Sequence, residues 1–359
     1  MVARLADVAK EADVSISTVS RVIRNTDYIA APTRRKVLDA IQKLDYRPNS
    51  VARHLKYMRT YTIGFVINDI SNPFFGHAVK GAEQYLLNSG ELEFELLLIN
   101  TNGEADREIK AIELMVNKRV EGIILSSTSE RECINLIQKI VDTHQIPVVS
   151  IDNQLGGFEI GIVSAENYRG AYELTSHLLS HGHQRIGFIS GPLSESHARE
   201  RLDGFKSALA QNSLGFDENL LANGNWTVEG GYRAVCEWLL QEVPPSAIFC
   251  SNNFMCMGAL SALSDHNIRV PADMAIVSFD DIEFGDLLRP CLTTLDYSWQ
   301  GIGREAVKLV LEGIKANKQQ MNPQSVHLPI QLLIRESCGC AYQMMQSGRQ
   351  EVSMLYRSR

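Results

Sequence analysis

Apolar positions recur at helical spacing over the first sixty residues and as short unbroken runs after them, so the chain changes its period once. Leu5, Val8, Ala9 and Ala12 fall three to four residues apart, and Val19, Val22 and Ile23 repeat the pattern after a break. In that break Asp13-Val14-Ser15 supplies a turn and then an N-cap, because the Ser15 hydroxyl can accept from the free amides of Ser17 or Thr18. Pro32 opens a third helix, whose Val37, Leu38, Ile41 and Leu44 are expected to face one way and close a small three-helix core. Pro48 ends the compact part. Residues 49–56 can form one short helix capped by Asn49, with Val51, Ala52 and Leu55 on one side; it is too short to be stable alone.

From Thr62 onwards TIGFVIN, FELLLIN, GIILS, PVVSI, RIGFIS, AIFC and MAIVSF are apolar runs bounded by turn residues, and they read as buried strands. Helical patterns separate most of them, for example residues 105–118 and 168–179. Strand alternating with helix implies parallel sheets covered on both faces. A series of such units with no break in composition suits two successive doubly wound domains, in which ligands bind outside the carboxyl ends of the strands.

At 359 residues the chain is too long for one small core, and 45% hydrophobic with 21% charged residues is ordinary for a soluble globular protein. The net charge of −7 argues against nucleic acid until the chain is divided. Residues 1–59 hold 12 Lys/Arg against 6 Asp/Glu, and the remainder 23 against 36. A basic head on an acidic body fits a DNA reader fused to something that should not itself adhere to DNA. Arg4, Asp7 and Lys10 break any apolar core of a secretory signal, and no run approaches the roughly 20 apolar residues of a membrane span. Seven cysteines, with Cys236, Cys250 and Cys256 scattered in apolar segments, read as reduced core residues in a cytoplasm.

The two leading helices have the pattern of a helix-turn-helix, whose second helix enters the DNA major groove. An ordinary helical hairpin would share that pattern. The polar face of Ser15, Ser17, Thr18, Ser20, Arg21 and Arg24 favours DNA, since small hydroxyls and guanidinium groups suit phosphate and guanine contacts. The order L-x-D-V-A-x-x-A-x-V-S-x-x-T-V-S-R-V, then T-R-x-K-V from Thr33, then Y-R-P-N-x-V-A-R-x-L from Tyr46, resembles the LacI/GalR family of bacterial transcription regulators, and further matches run to about Arg335. Asp13 stands where the family usually has Gly; Asp tolerates the left-handed conformation better than most residues, so the turn is expected to survive.

The resemblance implies an all-α helix-turn-helix head on an α/β periplasmic-binding-protein-like core of two doubly wound lobes, with three crossovers and ligand between the lobes. It implies a DNA-binding domain at 1–47, a hinge helix and linker at 48–60, and an effector-binding and dimerisation domain at 61–336. Lobe 1 would cover about 61–162 and 293–328, lobe 2 about 163–292 and 329–340, and a tail 341–359. The last long crossover is expected near Leu292-Thr293-Thr294, so that residues 299–314 return to lobe 1. Ser15, Ile16, Ser17, Thr18, Ser20 and Arg21 would meet a palindromic double-stranded operator. Asn49, Ala52 and Leu55 would serve the hinge, with Leu55 as the minor-groove wedge. A homodimer is expected, because the tail lacks the leucine heptads of a tetramerising helix.

The pocket candidates stand at strand ends: Asp69, Phe74 and Phe75 after the first strand, Asp152 after the fourth, Arg201 after GPL, then Trp226, Asn252-Asn253 and Asp280. Aromatic faces among Asp, Asn and Arg suit a sugar, whose ring stacks while its hydroxyls bond to planar polar groups. The resemblance carries the ligand-contacting role onto Phe75, Arg201, Trp226, Asn252 and Asp280, and onto Phe74 and Asp152. Purine-type relatives have basic and hydroxyl residues after GPL; Glu195 and His197 stand there instead, which disfavours a purine. A repressor of a sugar-utilisation operon is therefore the expectation. A transport-type solute-binding protein is opposed by the DNA head, and an enzyme by the want of a catalytic set.

Three motifs point elsewhere. Gly301-Ile302-Gly303-Arg304-Glu305-Ala306 matches a dinucleotide fingerprint but follows no apolar strand, so helix-start packing is the better reading. His177, His181 and His183 have the look of metal ligands, yet no Cys or carboxylate nearby in sequence completes a tetrahedral site, and histidines suit a helix C-terminus. Cys338-Gly339-Cys340 can bind metal or oxidise, but no second pair of ligands is near, and an exposed tail is the reading taken. No metal or cofactor is expected.

Overall fold

The computed structural model describes residues 3–24, 29–46, 59–91, 94–128, 131–156, 160–316 and 323–340. Contacts divide the chain into two units, residues 1–60 and 61–359. The hinge residues Asn49, Ala52 and Leu55 lie outside the described residues, as does the tail from 341.

The first unit contains α1 (Leu5–Glu11), α2 (Ile16–Arg24) and α3 (Ala31–Lys43). Val8, Val19 and Val37, one from each helix, are wholly buried, and Ala9, Ala12, Val22 and Ala40 fill the space between them. Leu38 departs from expectation and is 50% exposed. The inward stripe of α3 runs Val37, Ala40, Ile41, Leu44 at three- and four-residue spacing, and Leu38 falls about 100° round the helix from Val37.

The second unit begins with β1 (Thr62–Ile67), α4 (Pro73–Asn88), β2 (Glu95–Asn100), α5 (Ala105–Asn117), β3 (Gly122–Leu125), α6 (Arg131–Lys139), β4 (Val148–Ile151) and β5 (Gly161–Ala165). It continues with α7 (Asn167–Ser180), β6 (Ile186–Ser190), α8 (Ser196–Gln211), β7 (Leu221–Asn223), α9 (Val228–Leu239), β8 (Ala247–Cys250), α10 (Asn253–Asp265), β9 (Ala275–Asp280) and β10 (Thr293–Asp296). Then come α11 (Trp299–Lys315), β11 (Ser325–Leu328) and β12 (Gln331–Leu333).

The strands form two six-stranded sheets, ordered β11-β5-β4-β3-β1-β2 and β12-β10-β9-β8-β6-β7. All pairings are parallel except β10 with β12. These are the two doubly wound lobes that the resemblance implies. Strand order reverses beside β1 in the first and beside β6 in the second, which sets the ligand crevice at their carboxyl ends.

The chain passes between sheets after β5, after β10 and after β11. Two of these crossovers fall a few residues later than expected. Residues 161–165 stay in the first sheet because they ladder with β4 and β11, and residues 293–296 stay in the second because they ladder with β9 and β12. Helix α11 does return to the first lobe, where it crosses α4 at close range. A Cβ at Gly303 would lie 1.7 Å from the Ala78 carbonyl oxygen. Ser298 caps the helix by accepting from Gly301 N at 2.9 Å. The glycine motif is thus a packing device.

After β12 the chain folds back onto the second sheet rather than leaving as an exposed tail. Ser337 accepts from Ile276 N through its carbonyl at 2.9 Å, and its Oγ donates to the Ile276 carbonyl at 2.6 Å. Cys338 is fully buried and Cys340 nearly so.

Candidate functional site

The candidate DNA-reading face is local. Asp13 takes the left-handed conformation, with φ 53°, that the turn demands. Ser15 Oγ accepts from Thr18 N at 3.1 Å and sits 2.7 Å from Ser17 Oγ and 2.8 Å from Thr18 Oγ1. Ser15 therefore organises the first turn of α2, while Ile16, Ser17 and Arg21 are exposed, with Ser20 and Thr18 partly buried beside them. Ile16 is 50% exposed at the helix start.

The second candidate site lies between the lobes. From the second lobe, Arg201 on α8 is 2% exposed, donates from Nε to Asn167 Oδ1 at 2.9 Å and from Nη1 to the Ser251 carbonyl, and lies 3.7 Å over the Phe279 ring. Its Nη1 is 4.0 Å from Asp280 Oδ2, and Asp280 Oδ1 accepts from the Tyr297 hydroxyl at 2.8 Å. Trp226 donates from Nε1 to Glu195 Oε2 at 2.9 Å and stacks on His197, centroids 4.8 Å apart and planes 11° apart. That Trp226 approach needs Gly191, where a Cβ would come within 2.0 Å of the indole. Asn252 is committed elsewhere: its Oδ1 caps α10 through Met255 N at 2.8 Å, and its Nδ2 reaches the Trp226 carbonyl at 3.3 Å. It positions Trp226.

From the first lobe, Asp152 has a positive φ of 62°, and burial pushes its carboxyl up to about 7 despite the opposing pull of Arg201. Burial raises Glu195 to about 7 as well, and raises Asp280. His197 is held well below its ordinary value by burial and then by Arg201, so it is neutral near pH 7. Asp69 is spent on its own turn, accepting from Ser71 N at 2.9 Å and Ser71 Oγ at 2.7 Å. Phe74 and Phe75 are nearly buried and form, with Trp299 and Tyr297, an edge-to-face aromatic chain rather than an open platform.

Six buried side-chain polar atoms have no hydrogen-bond partner among the described residues: Asn68 Oδ1 after β1, Asp152 Oδ1 after β4, Ser190 Oγ at the end of β6, Ser251 Oγ after β8, His197 Nδ1 in the first turn of α8, and Ser176 Oγ within α7. A buried polar atom left unpaired is destabilising by roughly 1–3 kcal/mol, and four of these atoms stand at the carboxyl ends of β1, β4, β6 and β8. Asn68, Glu195, His197 and Tyr297 were not among the sequence candidates. Glu195 and His197 follow GPL in sequence, and Asn68 is the last residue of TIGFVIN, so strand-end position was the available signal.

A helix-turn-helix head carried by a two-lobed ligand-binding core defines a ligand-responsive DNA-binding regulator. Residues 4–49 match the model for bacterial regulatory proteins of the lacI family, and residues 60–336 that for periplasmic binding proteins and the sugar binding domain of the LacI family. The protein belongs to the LacI family of bacterial transcriptional regulators. It is 34% identical over 336 residues to the HTH-type transcriptional repressor PurR of Actinobacillus pleuropneumoniae serotype 3 (strain JL03), covering 93% of this chain and 98% of that protein. Identity to PurR of Pasteurella multocida (strain Pm70) is 32% over 335 residues, covering 93% and 98%. Among solved structures, the Lac repressor dimer bound to operator and the anti-inducer ONPF aligns with a TM-score of 0.80 at 25% identity, covering 94% of this chain and 99% of that one. The transcriptional regulator CelR–cellobiose complex aligns at 0.70 and 28% identity, covering 93% and 99%. Among the described residues no helix is long and apolar enough to cross a membrane.

Proposed function

We propose that the protein represses a carbohydrate-utilisation operon, binds a palindromic operator as a homodimer, and has its operator affinity switched by a small sugar held between the lobes. Support comes chiefly from the unpartnered buried oxygens at strand ends in both lobes, two of which (Asn68 Oδ1 and Asp152 Oδ1) accept and two of which (the Ser190 and Ser251 hydroxyls) donate or accept. Sugar hydroxyls supply many donors without charge. Asp280 beside Arg201 already balances the guanidinium charge, which suits an uncharged ligand. A ligand gripped by both lobes favours the closed form, and only such a difference in affinity shifts the population. In this reading Ile16, Ser17 and Arg21 read bases, and Leu55 is the groove wedge.

A planar purine base is the second reading, favoured by the parallel His197 and Trp226 rings and by the likeness to PurR repressors. A thermal-shift panel of mono- and disaccharides together with purine bases separates the two. A ligand at a hundredfold its Kd stabilises by roughly 2.7 kcal/mol, so the cognate compound should raise Tm measurably. A rise with a purine and none with any sugar replaces the first reading with the second.

A further inference from the structure

Two motifs that lie far apart in sequence meet in the second lobe. His177 and His181 stand one turn apart at the end of α7, so their rings share a face, with centroids 4.6 Å apart. The chain returning after β12 lays Cys338 and Cys340 against that face. Cys340 Sγ lies 3.3 Å from His177 Nε2, 3.0 Å from His181 Nε2 and 3.0 Å from Cys338 Sγ. The donor atoms of His177, Cys338 and Cys340 all fall within 4.8 Å of one another, and His181, outside that group of three, reaches it through Cys340 and would swing in as the fourth donor. The geometry points to a site of two cysteines and two histidines for a tetrahedral divalent metal ion of the zinc class, tying the end of the second-lobe chain to the end of α7.

The donor set suits that ion. Zinc bonds to sulfur at about 2.3 Å and to imidazole nitrogen at about 2.0 Å, which sets tetrahedral donor atoms roughly 3.2–3.8 Å apart. The two sulfur–nitrogen contacts of Cys340, 3.3 and 3.0 Å, fall within about half an ångström of the ~3.5 Å such a pair takes, while the sulfurs, 3.0 Å apart, would separate by about 0.8 Å to span an ion. His181 Nδ1 lies 2.8 Å from the His177 carbonyl oxygen. A carbonyl only accepts, so Nδ1 carries the proton and Nε2 keeps its lone pair toward the sulfurs; a second partner on the outer nitrogen is how metal-bound histidines are oriented. Two thiolates with two imidazoles select zinc over magnesium or calcium, and four protein donors leave no open position for catalysis.

The support is rigid. Gly339 has φ 90°, a backbone conformation that turns the Cys-Gly-Cys segment tightly. Ser337 just before it accepts from Thr293 N at 2.8 Å as well as bonding to Ile276. His177, Cys338 and Cys340 are buried, with exposures of 9%, 0% and 7%. His183 stays apart, its Nδ1 3.2 Å from Ser246 Oγ. The sulfurs are well beyond the disulfide bond length of about 2.05 Å. Metal binding would release the thiol protons, so affinity should rise with pH.

The test is metal analysis of the full chain purified without an affinity tag and without chelator, followed by titration of the metal-free protein with cobalt(II). The expected result is about one zinc per chain and, with cobalt, the visible absorption of a tetrahedral thiolate-bound ion. Cys340→Ser should lose both. Should that variant fail to fold, His181→Gln at the half-buried ligand leaves the cysteines in place and should weaken metal binding at least tenfold while the operator is still bound. Metal-free wild type that gives no cobalt spectrum, or a Cys338–Cys340 disulfide found by mass spectrometry under non-reducing conditions, overturns the site. Stoichiometric metal untouched by either substitution overturns it equally.

Discussion

Asn72 of the first lobe and Asn253 of the second set amide against amide, each Nδ2 donating to the other's Oδ1 at 3.4 Å. The same oxygens hold helix starts: Asn72 Oδ1 accepts from Phe74 N at 3.0 Å, and Asn253 Oδ1 from Phe254 N at 2.9 Å. The pair joins the N-termini of α4 and α10 across the crevice. Ser196 adds a second bridge, its N donating to Asn153 Oδ1 at 2.8 Å and its Oγ accepting from Gln154 N at 2.7 Å. The lobes are therefore closed on each other through polar contacts that water can replace on opening.

Asn253→Ala removes this latch. A net hydrogen bond contributes roughly 1 kcal/mol, so the effector found in the panel should bind about fivefold more weakly because the closed form is less populated. Calorimetry on wild type, Asn72→Ala, Asn253→Ala and the double variant gives the coupling. Equal affinities across all four would show that closure does not depend on the pair.

Arg201 joins the site to the second-lobe core, so its truncation acts on both. Arg201→Ala strands Asp280 beside Asp152 and empties the space over Phe279; breaking such a buried pair is destabilising by about 3–5 kcal/mol. Arg201→Lys keeps a charge but loses the planar fork. That variant should still bind operator, with its response to effector shifted at least tenfold upward in ligand concentration. Operator titrations with and without ligand read this directly, and an unchanged midpoint would remove Arg201 from the ligand contacts.

Asp152 and Glu195 are both raised to about 7 by burial, and this gives the protein a pH signature. Well below pH 4 both carboxyls are protonated whether the chain is folded or not. Between about pH 4 and 7 the unfolded carboxyls ionise while the folded ones do not, so the folded state binds more protons and stability falls as pH rises. Asp152→Asn should raise Tm at pH 8 and leave it nearly unchanged at pH 4. A ligand hydroxyl donating to Asp152 favours the ionised form, so binding just below pH 7 should release protons, measurable by calorimetry in buffers of different ionisation enthalpy. Proton uptake would contradict a donor hydroxyl at this carboxylate.

Exchange of Ile16 and Ser17 for other residues should change which half-site is preferred, because both are exposed at the start of α2, where base edges are read. Loss of a phosphate contact would instead weaken all sequences alike. Selection over a randomised half-site distinguishes the two, and an identical preferred sequence in the double variant would assign base reading elsewhere.

The helix-turn-helix was legible in the sequence because every determinant is local. The period of Leu5, Val8, Ala9 and Ala12, the left-handed Asp13 and the Ser15 cap act within one or two turns of chain. Most long apolar strands were legible for the same reason, since burial on both faces writes an unbroken run; β2 has such a run yet lies at a sheet edge, partly exposed, with Leu98 at 36%. Short strands were not. Leu221–Asn223, Thr293–Asp296 and Gln331–Leu333 are strands because β6, β9 and β10 offer them ladders, and their own residues carry little apolar signal.

The sites divide along the same line. The sequence could place Asp152, Trp226 and Asp280 at or just after strand ends, since fold class alone sends those ends to the crevice, whereas Arg201, expected there too, comes from the second turn of α8. It could not tell that Asn252 is consumed by a helix cap, that Glu195 and His197 close around Trp226, or that Asn68 Oδ1 has no partner among the described residues. Those outcomes depend on which loops pack together. His181 and Cys340 are separated by 159 residues, and each motif looked incomplete by itself. Only the return of the chain onto β9 and β10 brings the two halves to bonding distance, because a set of donors divided between distant segments is specified by long-range packing and leaves no trace in local spacing.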